Sequence, residues 1–310
     1  MQYIDDFPLV SIALCTYNGA PYLRRQLDTL VSQTYPNIEI VVNDDGSVDE
    51  TLQILADYAA VNNRLHFERN TENLGYIKNF ENVIQRCKGH YIALADQDDI
   101  WELHKIETLI KHIADGVLIY HDSEFVNNKE ESLGRMSDII NMYSGNNPLA
   151  FLFYNSVSGH SCLFKRDLIA HLGKFPPNYP HDWWLSFIAA NHGKVIYFET
   201  ALVKYRQHEA TVTDMLRIRE QPRKIIRKFG EMDLQWLSYC AVVNGKFQET
   251  ISGIITYHQS KKPVHHLLLL YLLTRHAEVL FFIKKKGYFS ILNYVRKIAF
   301  HQPGNFVIDH

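Results

Sequence analysis

Residues 10–19 read Val10-Ser11-Ile12-Ala13-Leu14-Cys15-Thr16-Tyr17-Asn18-Gly19, an apolar run that breaks off into a short polar loop. The run has strand length, and the segment after it, about 20–33, has the 3.6-residue periodicity of a helix. This unit recurs through the first 120 residues. Leu9 to Cys15, Ile38 to Val42, Leu65 to Phe67, Tyr91 to Ala95 and Val117 to Tyr120 read as buried strands. Helix-like segments lie between them at about 20–33, 49–61, 76–87 and 101–114. Short strands alternating with helices imply right-handed βαβ units and a mostly parallel, Rossmann-like sheet flanked by helices. Ligands of such sheets sit at the carboxyl ends of the strands, so the residues just past each apolar run carry the functional question.

Outward from this core the pattern changes twice. Residues 122–150 are polar, with Asn127-Asn128 and Gly145-Asn146-Asn147-Pro148 as breakers, and read as irregular chain. A strand-like run returns over Gly159 to Lys165, followed by helices at Arg166 to Leu172 and His181 to Asn191 and strands at Lys194 to Phe198 and Leu202 to Tyr205. From about Thr213 the strands stop, and helices are expected near 215–229, 231–257, 263–285 and 288–300. A boundary near 214 gives an α/β unit at 1–214 and a helical extension at 215–310.

Charge follows the same division. The 310 residues carry a net −2, but residues 1–214 hold 17 Lys and Arg against 28 Asp and Glu, a net −11. Residues 215–310 hold 15 against 6, a net +9. With 46% hydrophobic and 21% charged residues, the chain is neither disordered nor fibrous. Cys15, Cys87, Cys162 and Cys240 are widely spaced, which excludes zinc-type spacing and suits a reducing compartment. The opening residues lack the basic and apolar regions of a secretory leader, and Val264 to Ile283 is interrupted by His265, His266, Arg275, His276 and Glu278. The expectation is a cytoplasmic protein, with attachment to the inner face of the membrane open.

Three polar loops follow the strands: Thr16-Tyr17-Asn18-Gly19, Asn43-Asp44-Asp45-Gly46-Ser47 and Asp96-Gln97-Asp98-Asp99. Each also has a plain structural explanation, since Asp-Gly-Ser makes ordinary turns and Asp99 is placed to cap a helix starting at Trp101. The third loop is the sharpest. Closely spaced carboxylates repel unless a cation neutralises them. Mg²⁺ or Mn²⁺ does so with one or two carboxylates while completing its shell from substrate phosphates.

In combination these segments resemble the inverting glycosyltransferases of family 2, which have the GT-A fold. The resemblance rests on Val10 to Gly19, Val42 to Ser47, Asn73-Leu74-Gly75, Asp96 to Asp99 and Leu30-Val31-Ser32-Gln33-Thr34-Tyr35-Pro36, and spans roughly residues 8–210. It implies that Thr16, Tyr17 and Asn18 line a nucleotide pocket, and that Asp45 accepts a hydrogen bond from the base of a UDP- or dTDP-sugar. Asp96 then lies near the ribose, Asp98 binds the metal, and Lys78 is a weaker candidate for the nucleotide end. The segment Pro180-His181-Asp182-Trp183-Trp184 matches the family's base-bearing segment, which makes Asp182 the expected catalytic base. His181 stands where family members often have an acid. Gly159 and His160 resemble the loop closing over the donor sugar, Trp183 and Trp184 are candidates to stack on a sugar, and His208 is a second metal candidate. Arg206 is placed to meet phosphate.

The His-Asp-Trp-Trp and Arg-Gln-His groupings resemble bacterial rhamnosyltransferases, which points to dTDP-rhamnose and a surface-glycan or lipid-linked glycan acceptor. In the extension, Arg217, Arg219, Arg223, Lys224, Arg227 and Lys228 alternate with apolar residues. This pattern suits an anionic membrane surface or a homo-oligomer contact, and no nucleic-acid module accompanies it. A sugar nucleotidyltransferase and an inactive GT-A scaffold are the competing functions. The first lacks its basic, Gly-rich phosphate loop, and the second sits poorly with intact Asp45, Asp98 and Asp182.

Overall fold

The computed structural model describes residues 7–207 and 231–300. Its first half is the expected alternation: β1 (Val10–Thr16), α1 (Ala20–Val31), β2 (Ile38–Asp44), α2 (Thr51–Val61), β3 (Leu65–Arg69), α3 (Tyr76–Arg86) and β4 (Tyr91–Ala95). Strand β1 pairs in parallel with β2 and β4, and β2 with β3. Every residue of β1 is buried, which is why its sequence is a continuous apolar run rather than an alternation. The order β3-β2-β1-β4 reverses direction at β1. The loops leaving β1 and β4 therefore diverge and open a crevice at their carboxyl ends.

The second half is mixed. After β5 (Ile100–Trp101), α4 (Lys105–His112), β6 (Leu118–Val126), β7 (Ser132–Arg135) and α5 (Met136–Ile139) come β8 (Cys162–Lys165), α6 (Ile169–Leu172), α7 (His181–His192) and β9 (Val195–Arg206). Strand β8 lies antiparallel between β4 and β6, β6 runs parallel to β9, and β5 closes the edge antiparallel to β9.

Three expectations are corrected here. The helix expected from Trp101 starts at Lys105, because Ile100 and Trp101 pair with Lys204 and Val203. Part of the polar stretch 122–150 is ordered strand: β6 runs on to Val126 and returns as β7 through a turn in which Asn127 Oδ1 accepts from Lys129 N and Glu131 N. The two late strands are one, β9, whose register slips against β6 near Asp122.

The C-terminal residues form α8 (Glu231–Ala241), α9 (Gln248–Gln259), α10 (Pro263–Arg275), α11 (Ala277–Leu280) and α12 (Tyr288–Phe300). The helix expected over 231–257 is broken around Asn244-Gly245, where Gln248 N turns back to Gly245 O. Trp236 on α8 is buried against Trp183, Trp184 and Tyr179, and its indole donates to Leu152 O at 3.0 Å. The boundary near 214 and the basic segment 217–228 lie outside the described residues. Among those described, the C-terminal helices share one hydrophobic core with α7 and one face of the sheet.

Candidate active site

At the crevice, the loop after β1 is locked to its neighbours by its own backbone. Tyr17 N donates to Gln97 Oε1 at 2.8 Å while Gln97 Nε2 returns a bond to Tyr17 O at 3.1 Å, joining the β1 and β4 loops. A Cβ on Gly19 would overlap Gln97 Oε1, so this pairing needs glycine there. Asn18 takes a left-handed φ of 47°, a region asparagine tolerates. Its N–H donates to Ser47 Oγ, and its Oδ1 accepts from Val48 N. Thr16 is buried and donates to Asp44 Oδ2 at 2.9 Å, while Tyr17 stands exposed at the crevice.

Asp44 and Asp45 have different tasks. Asp44 closes its own turn by accepting from Gly46 N, Ser47 N and Ser47 Oγ. Asp45 reaches across to the loop before α3: its Oδ1 accepts from Asn70 Nδ2 and Leu74 N, and its Oδ2 from Gly75 N at 2.9 Å. A carboxylate oxygen takes about two donors, so Oδ2 retains one acceptor position. Lys78 is an exposed α3 residue, ion-paired with Glu81 at 2.6 Å.

The β4 loop builds an acidic pocket. Among the described residues, Asp96, Asp99 and His160 offer ligand atoms that all lie within 4.8 Å of one another. His160 Nδ1 is 3.6 Å from a carboxylate oxygen of each, and Ser123 Oγ engages its Nε2 at 2.9 Å, which orients the ring. Asp99 is fully buried; one oxygen accepts from Arg206 N and the other, Oδ2, has no hydrogen-bond partner. Burial and the neighbouring Asp98 and Asp96 push its carboxyl well above the ordinary range. Asp96 moves the other way: His160 holds it below the usual value although burial opposes this. Beneath the pocket, Lys105 is completely buried, lies 3.2 Å over the Trp101 ring and donates to His160 O at 2.5 Å. Burial drives its ammonium pKa well down. An orphaned buried carboxylate oxygen beside a second carboxylate and an oriented imidazole is a donor set that fits a divalent cation.

The turn Gly159–Ser161 joins this pocket to Asp182 at the start of α7. Gly159 N donates to Asp182 Oδ2 at 3.1 Å, and Asn155 Nδ2 to Oδ1 at 3.2 Å. Burial raises the Asp182 carboxyl to about 7 against the Gly159 N–H and the backbone at the start of α7, with Asp96 adding to the rise. A carboxylate tuned toward neutrality and fixed by hydrogen bonds has the properties of a general base at physiological pH. Next to it, His181 is buried in a stack on Phe80 at 3.9 Å, has no hydrogen-bond partner at either ring nitrogen, and is driven down to about 4 by burial.

The model for "Glycosyl transferase family 2" matches residues 11–173, more than half of the chain and the whole of the crevice short of Asp182. The chain belongs to glycosyl transferase family 2. It is 28% identical over 219 residues to an uncharacterized glycosyltransferase of Haemophilus influenzae, a match covering 66% of this chain and 67% of that one. Among solved structures it resembles S. aureus TarS 1-349 in complex with UDP-GlcNAc, with a TM-score of 0.58 and 16% identity over 94% of this chain and 88% of that one. It also resembles the mannosyltransferase PcManGT from Pyrobaculum calidifontis in complex with GDP-Man and Mn²⁺, at TM-score 0.53 and 19% identity over 96% and 81% of the two chains. At such identities these two structures support the GT-A-like fold alone.

Several of the expected site residues are placed differently from the expectation. The metal-type cluster contains Asp99 and His160, whereas Asp98 was the expected ligand; His208 lies outside the described residues. Asp99 caps no helix, being buried where β5 begins. His160, expected at the donor sugar, faces the carboxylates instead. Trp183 and Trp184 are core residues whose indoles donate to Phe151 O and Leu172 O, so stacking on a sugar is closed to them. Arg206 spends its guanidinium on the carbonyls of Asp98, Asn127 and Asn128 rather than on phosphate. Sequence reasoning missed Lys105, Asn155 and Ser123, which carry no local signal. Asp99 was visible as the fourth position of Asp96-Gln97-Asp98-Asp99.

Proposed function

We propose that this family 2 member is an inverting, metal-dependent glycosyltransferase that moves a sugar from a UDP- or dTDP-sugar to a hydroxyl of a growing bacterial surface polysaccharide. The observation that carries the reading is the position of Asp182. A half-buried carboxylate with its pKa raised to about 7 is tied through Gly159 to the same turn whose next residue, His160, faces Asp96 and Asp99.

In this reading Tyr17 and Asn18 border the nucleotide, and Thr16 supports them by fixing the turn of Asp44. Asp45 Oδ2 accepts from the base N3–H, a donor that cytosine lacks. Asp96, Asp99 and His160 would hold Mn²⁺ or Mg²⁺, with Asp98 on the same loop, and a bound ion would offer positive charge to the diphosphate. Asp182 takes the proton from the acceptor hydroxyl. The hydroxyl oxygen bonds to the anomeric carbon from the face opposite the diphosphate, the carbon–oxygen bond to the diphosphate breaks, and the configuration inverts. The Gly159 N–H and the Asn155 amide fix the carboxylate so that it is oriented before the acceptor arrives. The His181-Asp182-Trp183-Trp184 segment, by its resemblance to bacterial rhamnosyltransferases, favours dTDP-rhamnose as the donor.

A donor panel read by thermal unfolding tests the proposal. With Mn²⁺ present and ligand at about one hundred times its dissociation constant, the true donor should stabilise the protein by about 2.7 kcal/mol. That corresponds to a Tm rise of roughly 4 °C for a chain of this size. dTDP-rhamnose should give the largest shift. No shift with any UDP- or dTDP-sugar in the presence of Mn²⁺ would sink the reading.

A further inference from the structure

Helix α10 (Pro263–Arg275) turns its apolar residues to both sides. Leu269 and Leu273 face the core at 1% and 0% exposure, as an amphipathic helix requires. The opposite face should be polar, yet it carries Val264, Leu267, Leu268 and Tyr271 at 55%, 58%, 37% and 57% exposure. These fall at i, i+3, i+4 and i+7, a continuous stripe along one side of the helix. At one end of the helix stand exposed Lys261 and Lys262, at the other exposed Arg275, and α10 itself contains no acidic residue. On the side of α10 turned away from the stripe, His266 stacks near Phe300 of α12, and Nδ1 of His266 contacts Ala299 O at 2.8 Å.

Charge decides what covers this face. A second copy of the chain would meet it through a two-fold axis, and α10 would cross its own equivalent. A parallel crossing brings each cation onto itself, while an antiparallel one brings Lys261 and Lys262 onto Arg275 of the other copy with exposed Glu278 three residues beyond it, so the three cations of the face still outnumber its one neighbouring acid. An anionic lipid surface complements the same pattern, with apolar side chains entering the acyl boundary and cations meeting headgroups. At 13 residues α10 is about 20 Å long, short of the ~30 Å needed to span a bilayer. No helix among the described residues is long and apolar enough to cross a membrane.

We propose that the exposed face of α10, flanked by Lys261, Lys262 and Arg275, docks this enzyme on anionic membrane surfaces. The inference stands independently of which sugar is transferred. The test is co-sedimentation of the full chain with vesicles of phosphatidylcholine alone and of phosphatidylcholine mixed with phosphatidylglycerol. Binding is expected to the anionic vesicles only, and to weaken as salt is raised. Leu267→Glu with Leu268→Glu should abolish it. Each of Lys261→Gln, Lys262→Gln and Arg275→Gln should weaken it about fivefold, the equivalent of about 1 kcal/mol per cation. These positions are exposed, so circular dichroism and Tm should stay as in the parent chain, and transfer to a soluble acceptor should be unchanged. The inference is overturned if the full chain leaves anionic vesicles unbound. It is equally overturned if light scattering finds a dimer that the double glutamate variant dissolves, since the face would then be an interface between copies.

Discussion

Burial lifts the Asp182 carboxyl from a usual pKa near 3.9 to about 7, so as a base it would carry a proton below that pH and could not accept another. The log of kcat/KM is therefore expected to rise with pH and level off above about 7, an acidic limb that a pH–rate profile measures. The linkage sign follows from the same shift. The folded state holds this proton more tightly than the unfolded one, so the contribution is present below about pH 4 and is lost as pH rises towards 7. Asp182→Asn should remove that part of the stability profile, read by urea unfolding at pH 5 and 7.5. Gly159 has a comparable constraint of size. A Cβ there would stand 2.7 Å from His181 Nε2 in a packed stack. Gly159→Ala should push the turn away from Asp182 and lower kcat more than donor affinity, as steady-state kinetics and donor titration would distinguish.

Among the elements, the turn Gly159–Ser161 does the most, because it holds Asp182 through one residue and faces the acidic pocket through the next. If the pocket binds a divalent ion as its donor set implies, Asp99→Ala and His160→Ala should each weaken Mn²⁺ binding at least about tenfold in calorimetric titration with the metal alone. Asp98→Ala should weaken it less; the reverse ranking would return the metal to Asp98. The parallel elements β1 to β4 were legible because each strand and its crossover helix are neighbours in sequence and carry their own periodicity. The antiparallel ones were not. Nothing local in Ile100-Trp101 says that it pairs with Val203 and Lys204, a hundred residues on, so its apolar pair was read into the helix behind it. An apolar pair taken as the start of a helix makes Asp99 look like a cap, although the structure buries it in the acidic pocket. The β-turn at Asn127 was hidden in the same way, since polar composition suits an exposed hairpin as well as a loop.

At the scale of the molecule, the charge division near residue 214 was readable from composition, but the shared core was not. Trp236 on α8 closes over Trp183 and Trp184 on the helix that presents Asp182. The extension thus buries the back of α7, and the two tryptophans expected at the sugar are its anchor. Trp236→Ala should cost about 3–5 kcal/mol, and should lower one common unfolding midpoint for the whole chain rather than releasing the C-terminal helices alone. Parallel fluorescence and circular dichroism melts check this. The central claim is that this crevice transfers a sugar with Asp182 as its base. Its most direct test is the Asp182→Asn variant, assayed for donor binding by calorimetry and for turnover with the donor that binds the parent chain. Donor affinity should be unchanged while kcat falls by about 10²–10⁴, and turnover close to that of the parent chain would contradict the account.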